Sequence, residues 1–167
     1  MRRGFTLIEL LVVIAVMGVL GAIVLIAINP LDQIARGRDA GRKSNLSQLR
    51  HAVQSRYTVK NAVFVTADPT WITTLVNEGE IRNAPAVIEY ITSGITPCQT
   101  NQQNYYCYQT DGFEAIIYVR LESGPEREKC MPDDPYFLWA SAQSATGTVC
   151  WTSGSEPNQY GGYVFLP

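Results

Sequence analysis

Gly4-Phe5-Thr6-Leu7-Ile8-Glu9 leads into nineteen residues, Leu10 to Ile28, that carry no charge and no strongly polar side chain. At about 1.5 Å rise per residue, a helix over that run comes close to the ~30 Å hydrocarbon core of a bilayer. So long an apolar run does not suit the interior of a small soluble domain. A secretory signal peptide, with Arg2 and Arg3 as its basic region, is the rival reading. Its apolar stretch should cover only about 7–15 residues and end in a small-x-small cleavage site. Here the run is longer, and Leu25-Ile26-Ala27 lacks the first small residue. A signal peptide also leaves Glu9 without an account. A carboxylate inside a membrane segment costs about 2.5–3.5 kcal/mol, so it usually has a partner and a role. The plainer alternative is that Glu9 lies close enough to the boundary to reach head-group water.

Beyond this stretch the 167 residues divide by charge. Residues 1–30 have a net charge of +1, residues 31–60 of +5 and residues 61–167 of −8. An apolar head, a basic middle and an acidic tail argue against one uniform soluble globule. The overall charge of −2 offers no bulk attraction for nucleic acid, and the acidic tail argues against direct binding of it. Along the basic run Arg36–Lys60 the simplest reading is a solvated helix face. The alternative is pairing with the acidic tail of a neighbouring subunit.

Asn29-Pro30 predicts a kink or break, because proline removes a donor and crowds the preceding turn. Helix then resumes. Leu46, Leu49, Val53 and Tyr57 fall at spacings of three, four and four, one apolar stripe. His51 reads as an ordinary surface residue. Asp68-Pro69-Thr70-Trp71 has the form of a helix start, and Gly79 of its end. From Asn104 the period changes to two. Asn104–Thr110 reads as a tyrosine-rich strand and Asp111-Gly112 as a turn. Phe113, Ala115, Ile117, Val119 and Leu121 share one face of a second strand. Tyr136–Ala142 and Thr148–Thr152 read as two more, and Tyr160–Phe165 as a possible edge strand. These make a four-stranded antiparallel meander, one face covered by the helix and the other wetter. Tyr105, Tyr106 and Tyr108 suit cross-strand packing and the sheet edge; an exposed aromatic platform for sugars or another surface is the alternative.

Cys98, Cys107, Cys130 and Cys150 all lie in the acidic tail. An even count in an oxidising compartment suggests two disulfides. Three pairings are possible. Cys98–Cys107 and Cys130–Cys150 are favoured, since sequence neighbours are neighbours in a meander. No CxxC or Cys/His spacing suggests zinc, and one distant histidine gives no cysteine catalysis. No catalytic set, phosphate loop or cofactor motif is visible, so no enzyme activity and no cofactor are expected. Glu122, Glu126, Glu128, Asp133 and Asp134 form a weak calcium candidate. Without an ordered Asp-x-Asp-x-Asp pattern, and with Arg127 and Lys129 between them, they read rather as a solvated acidic loop.

Residues 4–9, with a short basic leader before them and an apolar helix after, resemble the prepilin signal of the type IV pilin superfamily. That superfamily includes type IV pilins and the pseudopilins of type II secretion. The resemblance implies an α+β, pilin-like fold in which a long N-terminal helix, transmembrane in its first half, packs on the four-stranded antiparallel sheet. It implies a leader at 1–4, a membrane and filament-core helix at 5–29, an amphipathic continuation at 30–60, and an extracytoplasmic connector and sheet domain at 61–167. A prepilin peptidase would cut between Gly4 and Phe5 and N-methylate Phe5. Glu9, at the fifth mature position, would pair with the amine of a neighbouring Phe5 in the filament. Identical or related subunits, the peptidase, an assembly platform protein, an ATPase and the cytoplasmic membrane are the implied partners. The product would be a filament for adhesion, motility, DNA uptake or secretion. Basic residues on both sides of the span leave its orientation undecided by counting; the resemblance places the leader inside and the C-terminus outside, then on the cell surface. A C-terminal disulfide and the lack of a calcium motif favour pilin over pseudopilin. A single-pass anchored binding module that does not polymerise is the other class considered.

Overall fold

The computed structural model describes residues 5–166, with side chains for all of them except 25–28. The elements run α1 (Leu7–Ile28), α2 (Pro30–Val59), α3 (Trp71–Asn77), β1 (Cys107–Thr110), β2 (Ala115–Arg120), α4 (Gly124–Cys130), β3 (Asp134–Ala140) and β4 (Ala145–Trp151). The chain divides between Ile34 and Ala35 into two units. The architecture is α+β and pilin-like: an apolar N-terminal helix is followed by a four-stranded antiparallel sheet.

The described residues of the first unit are almost entirely helical. α1 stops at Asn29, which turns into the left-handed region at φ 45°. Pro30 opens α2, a first-turn position where its missing N–H costs nothing. The Asn29 carbonyl then accepts from the amides of Asp32 (3.1 Å) and Gln33 (3.3 Å). The expected break at Asn29-Pro30 is therefore one residue long.

In the second unit the remainder of α2 lies on one face of the sheet. Leu46, Leu49 and Val53 are fully buried with Ile117 and Val119 of β2 and Trp139 of β3, and with Trp71, Ile72 and Leu75 of α3. Each such side chain stabilises the fold by about 1.5–3 kcal/mol through removal from water. Tyr57 closes the stripe, half-buried, with its ring centroid 4.3 Å from that of Phe64. Gly41 lets the 85–92 segment come close, since a Cβ there would lie 2.9 Å from Ile88.

The sheet order is β1-β2-β3-β4, a plain meander. Ile117 sits opposite Tyr108 on one side and Trp139 on the other. Three expectations need correction. The second sheet face is not wet: Cys98, Cys107, Ile116, Tyr118, Tyr136, Leu138, Val149 and Tyr163 form a second buried cluster there. The residues before and after the meander supply that cover. Phe113 does not share the β2 inner face but stands in the turn before it, 87 % exposed. The stretch between β2 and β3 is not a solvated acidic loop but contains α4, started by Ser123 with proline in its first turn.

Smaller differences follow from local backbone. β1 begins at Cys107 rather than Asn104, because Asn104 and Tyr105 have positive φ and form a tight turn. Tyr160–Phe165 is not a strand; from this tail the Leu166 amide donates to the Thr148 carbonyl (2.8 Å). Tyr106 and Tyr108 are buried in the helix-side core, which removes the aromatic-platform reading.

Candidate functional site

The candidate site begins at Phe5, whose side chain is exposed. Thr6 caps α1, and Glu9 closes a reciprocal capping box. The Thr6 backbone N–H and hydroxyl donate to Glu9 Oε2 at 2.8 and 2.7 Å, and the Glu9 amide donates back to Thr6 Oγ1 at 3.3 Å. The carboxylate is thus held at the helix N-terminus, where the helix dipole favours negative charge. Gly4, named for cleavage with Phe5, lies outside the described residues. From Leu7 to Val24 the helix is long and apolar enough to cross a membrane, and none of that window is buried.

Five basic side chains of α2, those of Arg38, Arg42, Lys43, Arg50 and Arg56, are turned onto their own domain rather than left as a solvated face. Arg42 is 1 % exposed. Its Nη1 lies 2.8 Å from Asp39 Oδ1 and 2.9 Å from Glu122 Oε1. Its Nη2 donates to the carbonyls of Ile88 (3.1 Å) and Glu89 (2.9 Å), and the guanidinium sits 3.9 Å from the centre of the Tyr90 ring. Asp39 accepts from the amides of Glu122 (3.1 Å) and Ser123 (2.9 Å). Glu122 Oε2 accepts from the amides of Ile91 (2.7 Å) and Thr92 (2.9 Å). Every charge of this buried set is therefore met by an opposite charge and backbone dipoles, the condition under which such burial is tolerated. Burial pushes the Glu122 carboxyl up, but the Thr92 and Ile91 amides and Arg42 outweigh it and hold it below its ordinary value. Burial raises the Tyr90 phenol well above its ordinary value.

Around this centre Lys43 pairs with Glu126 at 2.5 Å and Arg56 with Glu78 at 2.6 Å. Arg50 donates to Thr146 Oγ1 at 3.1 Å and Arg38 to the Glu89 carbonyl at 2.6 Å. The sequence reading missed this network. The signal was Asp39 and Arg42 one turn apart on a helix, but their partner Glu122 lies some eighty residues on.

The weak calcium set does not converge. Glu122 belongs to Arg42, Glu126 to Lys43 and Lys129, and Asp134 to Arg120 at 2.5 Å. Glu128 is exposed on α4. Among the described residues no group of three His, Cys, Asp or Glu side chains is placed to hold a metal ion. The cysteines are joined as Cys98–Cys107 and Cys130–Cys150. The first ties the connector to β1, and the second ties the end of α4 to β4.

Residues 1–25 match the family model of the prokaryotic N-terminal methylation motif. No curated protein and no solved structure matches the chain. The exposed apolar helix and its capped Glu9 thus lie in a recognised motif. The N-terminus is the prepilin-type signature, which supports a type IV pilin or pseudopilin.

Proposed function

We propose that this chain is the structural subunit of a type IV pilus-like filament. The family to which the signature points is structural rather than enzymatic, and the signature with its apolar helix fits a membrane-anchored precursor that becomes a surface pilus. In this reading a prepilin peptidase cuts between Gly4 and Phe5 and methylates the new Phe5 amine. An ATPase and a platform protein then draw the subunit from the cytoplasmic membrane into a filament of identical or related chains, with its C-terminal domain outside.

The observation that carries the reading is Glu9, set in a helix none of whose apolar window Leu7–Val24 is buried by its own chain. That surface needs lipid before assembly and other helices after it. The carboxylate needs a cation in the filament core. The methylated Phe5 amine of a neighbour supplies one, and the Thr6 cap is what holds Glu9 until then. Intact-mass and N-terminal peptide analysis of protein from the native host tests processing. The expected chain begins with N-methylated Phe5. A chain still beginning at Met1 overturns the reading in favour of a non-polymerising anchored module.

A further inference from the structure

Where both hairpins of the sheet turn, two cavities of about 350 and 290 Å3 adjoin, sharing Glu114 and Ala142 as a common wall. Tyr57, Phe64, Phe113 and Trp139 line the larger, and Tyr160 and Tyr163 the smaller. Together they reach the size range of small-ligand sites. Phe113 and Tyr160 stand 87 % and 76 % exposed at its rim. Large aromatic side chains are not left in water without cost.

The loops that present them are pinned. Asp111 Oδ1 accepts from the amides of Phe113 (2.9 Å) and Glu114 (2.8 Å), and Gly112 takes the positive φ of 94° that this turn requires. Ser141 Oγ accepts from the Ala115 amide at 2.8 Å, which joins the two hairpin ends. The Tyr160 amide donates to Asn158 Oδ1 at 3.1 Å, and Gln143 Nε2 to the Tyr163 carbonyl at 3.0 Å. A Cβ at Gly161 would lie 2.9 Å from Trp151, so only glycine lets this loop close down.

Some of the polar groups on the walls are uncommitted. The side chains of Gln54, Glu114 and Gln159 have no hydrogen bond among the described residues. Trp139 is 1 % exposed, and its indole N–H has no acceptor. Glu114 is the one charged residue among those lining either cavity. With no lysine or arginine there, a phosphate, sulfate or carboxylate would meet an uncompensated negative charge. Aromatic faces beside amides and a lone carboxylate match a neutral, hydroxyl-rich ligand with apolar C–H faces.

We propose that this end of the second unit binds a neutral oligosaccharide, with Phe113 and Tyr160 stacking on its rings and Glu114 and Gln159 accepting or donating hydrogen bonds at its hydroxyls. The site rests on the second unit alone and is independent of processing and polymerisation. The test titrates the full chain, in lipid nanodiscs free of glycosidic detergent, with maltotetraose, cellotetraose and N-acetylated chitotetraose. A heparin tetrasaccharide serves as the anionic comparison. Saturation-transfer NMR and tryptophan fluorescence report binding. At least one neutral probe is expected to bind at millimolar concentration or below, and Phe113→Ala to weaken it about tenfold. Tyr160→Ala provides the same test if the first variant misfolds. No binding by any neutral probe, preference for heparin, or affinity unchanged in both variants overturns the proposal.

Discussion

From Leu7 to Val24 no part of α1 is buried, whereas Leu46, Leu49, Ala52 and Val53 of α2 are sealed beneath the sheet. Both stretches are helical, and they differ in where their apolar surface finds cover. Left in water, each large apolar side chain costs about 1.5–3 kcal/mol. The uncovered window therefore amounts to tens of kcal/mol, more than the net stability of about 5–15 kcal/mol that holds a typical domain folded. Water cannot be its resting solvent. α2 meets the same requirement within its own chain and uses charge to fix its position. The difference teaches that one end of this protein is built for other molecules, and that the next segment is built to stay put.

The largest expected effect comes from breaking the outward-facing half. Under the proposed function, Glu9→Leu would leave a neighbour's amine unpaired in an apolar filament core, a penalty of about 3–5 kcal/mol per contact. That is a hundredfold or more, at about 1.4 kcal/mol per tenfold. Filament yield should fall at least about a hundredfold, while cleavage before Phe5 continues. Sheared-filament preparations with mass analysis of the membrane pool measure both. Normal filament yield would remove Glu9 from assembly.

The inward-facing half breaks at Arg42. Arg42→Ala strands Asp39 and Glu122 in a dry interior, and removing one partner of a buried pair costs about 3–5 kcal/mol. All three tryptophans, Trp71, Trp139 and Trp151, lie in the second unit. Urea unfolding of the full chain followed by their fluorescence reads that unit directly. A loss below about 1 kcal/mol would return Arg42 to the class of surface ion pairs.

A smaller effect sharpens the same contrast through pH. The folded-state Glu122 carboxyl lies below its ordinary value, with burial opposed and outweighed by the Thr92 and Ile91 amides and Arg42. Its stabilising contribution is therefore complete above the ordinary glutamate pKa of about 4.3 and is lost as pH falls through the lowered folded value. The stability advantage of the wild type over Glu122→Gln should narrow on acidification below that range. A gap that stays constant from neutral to acid pH would show that the charge is not what holds Glu122.

Much of the fold was legible because its signals are local. The Leu46-Leu49-Val53 stripe, the Asn29-Pro30 interruption and the Asp111-Gly112 turn each declare themselves within a few residues. The order of the meander follows from short connections that leave few alternatives. α4 was not legible, because Gly124-Pro125-Glu126-Arg127-Glu128-Lys129 has no apolar periodicity. It is short and secured by Asp39 on the Ser123 amide, by the Lys43–Glu126 pair and by the Cys130–Cys150 link. The cover on the second sheet face was equally hidden. Cys98 and Tyr163 come to it from opposite sides of the meander in sequence.

What residues 4–28 must avoid was written in their chemistry. A continuous apolar run with one carboxylate has the same hydrophobic requirement whatever follows it, because that requirement depends only on which side chains are present. The fate of the basic run Arg36–Lys60 was not written there. A positive charge on a helix reads alike whether it meets water, a neighbouring subunit or its own domain. Folding brings Glu122, Glu126 and Glu78 to Arg42, Lys43 and Arg56, and Coulomb energy depends on distance in space and on exclusion of water rather than on separation along the chain.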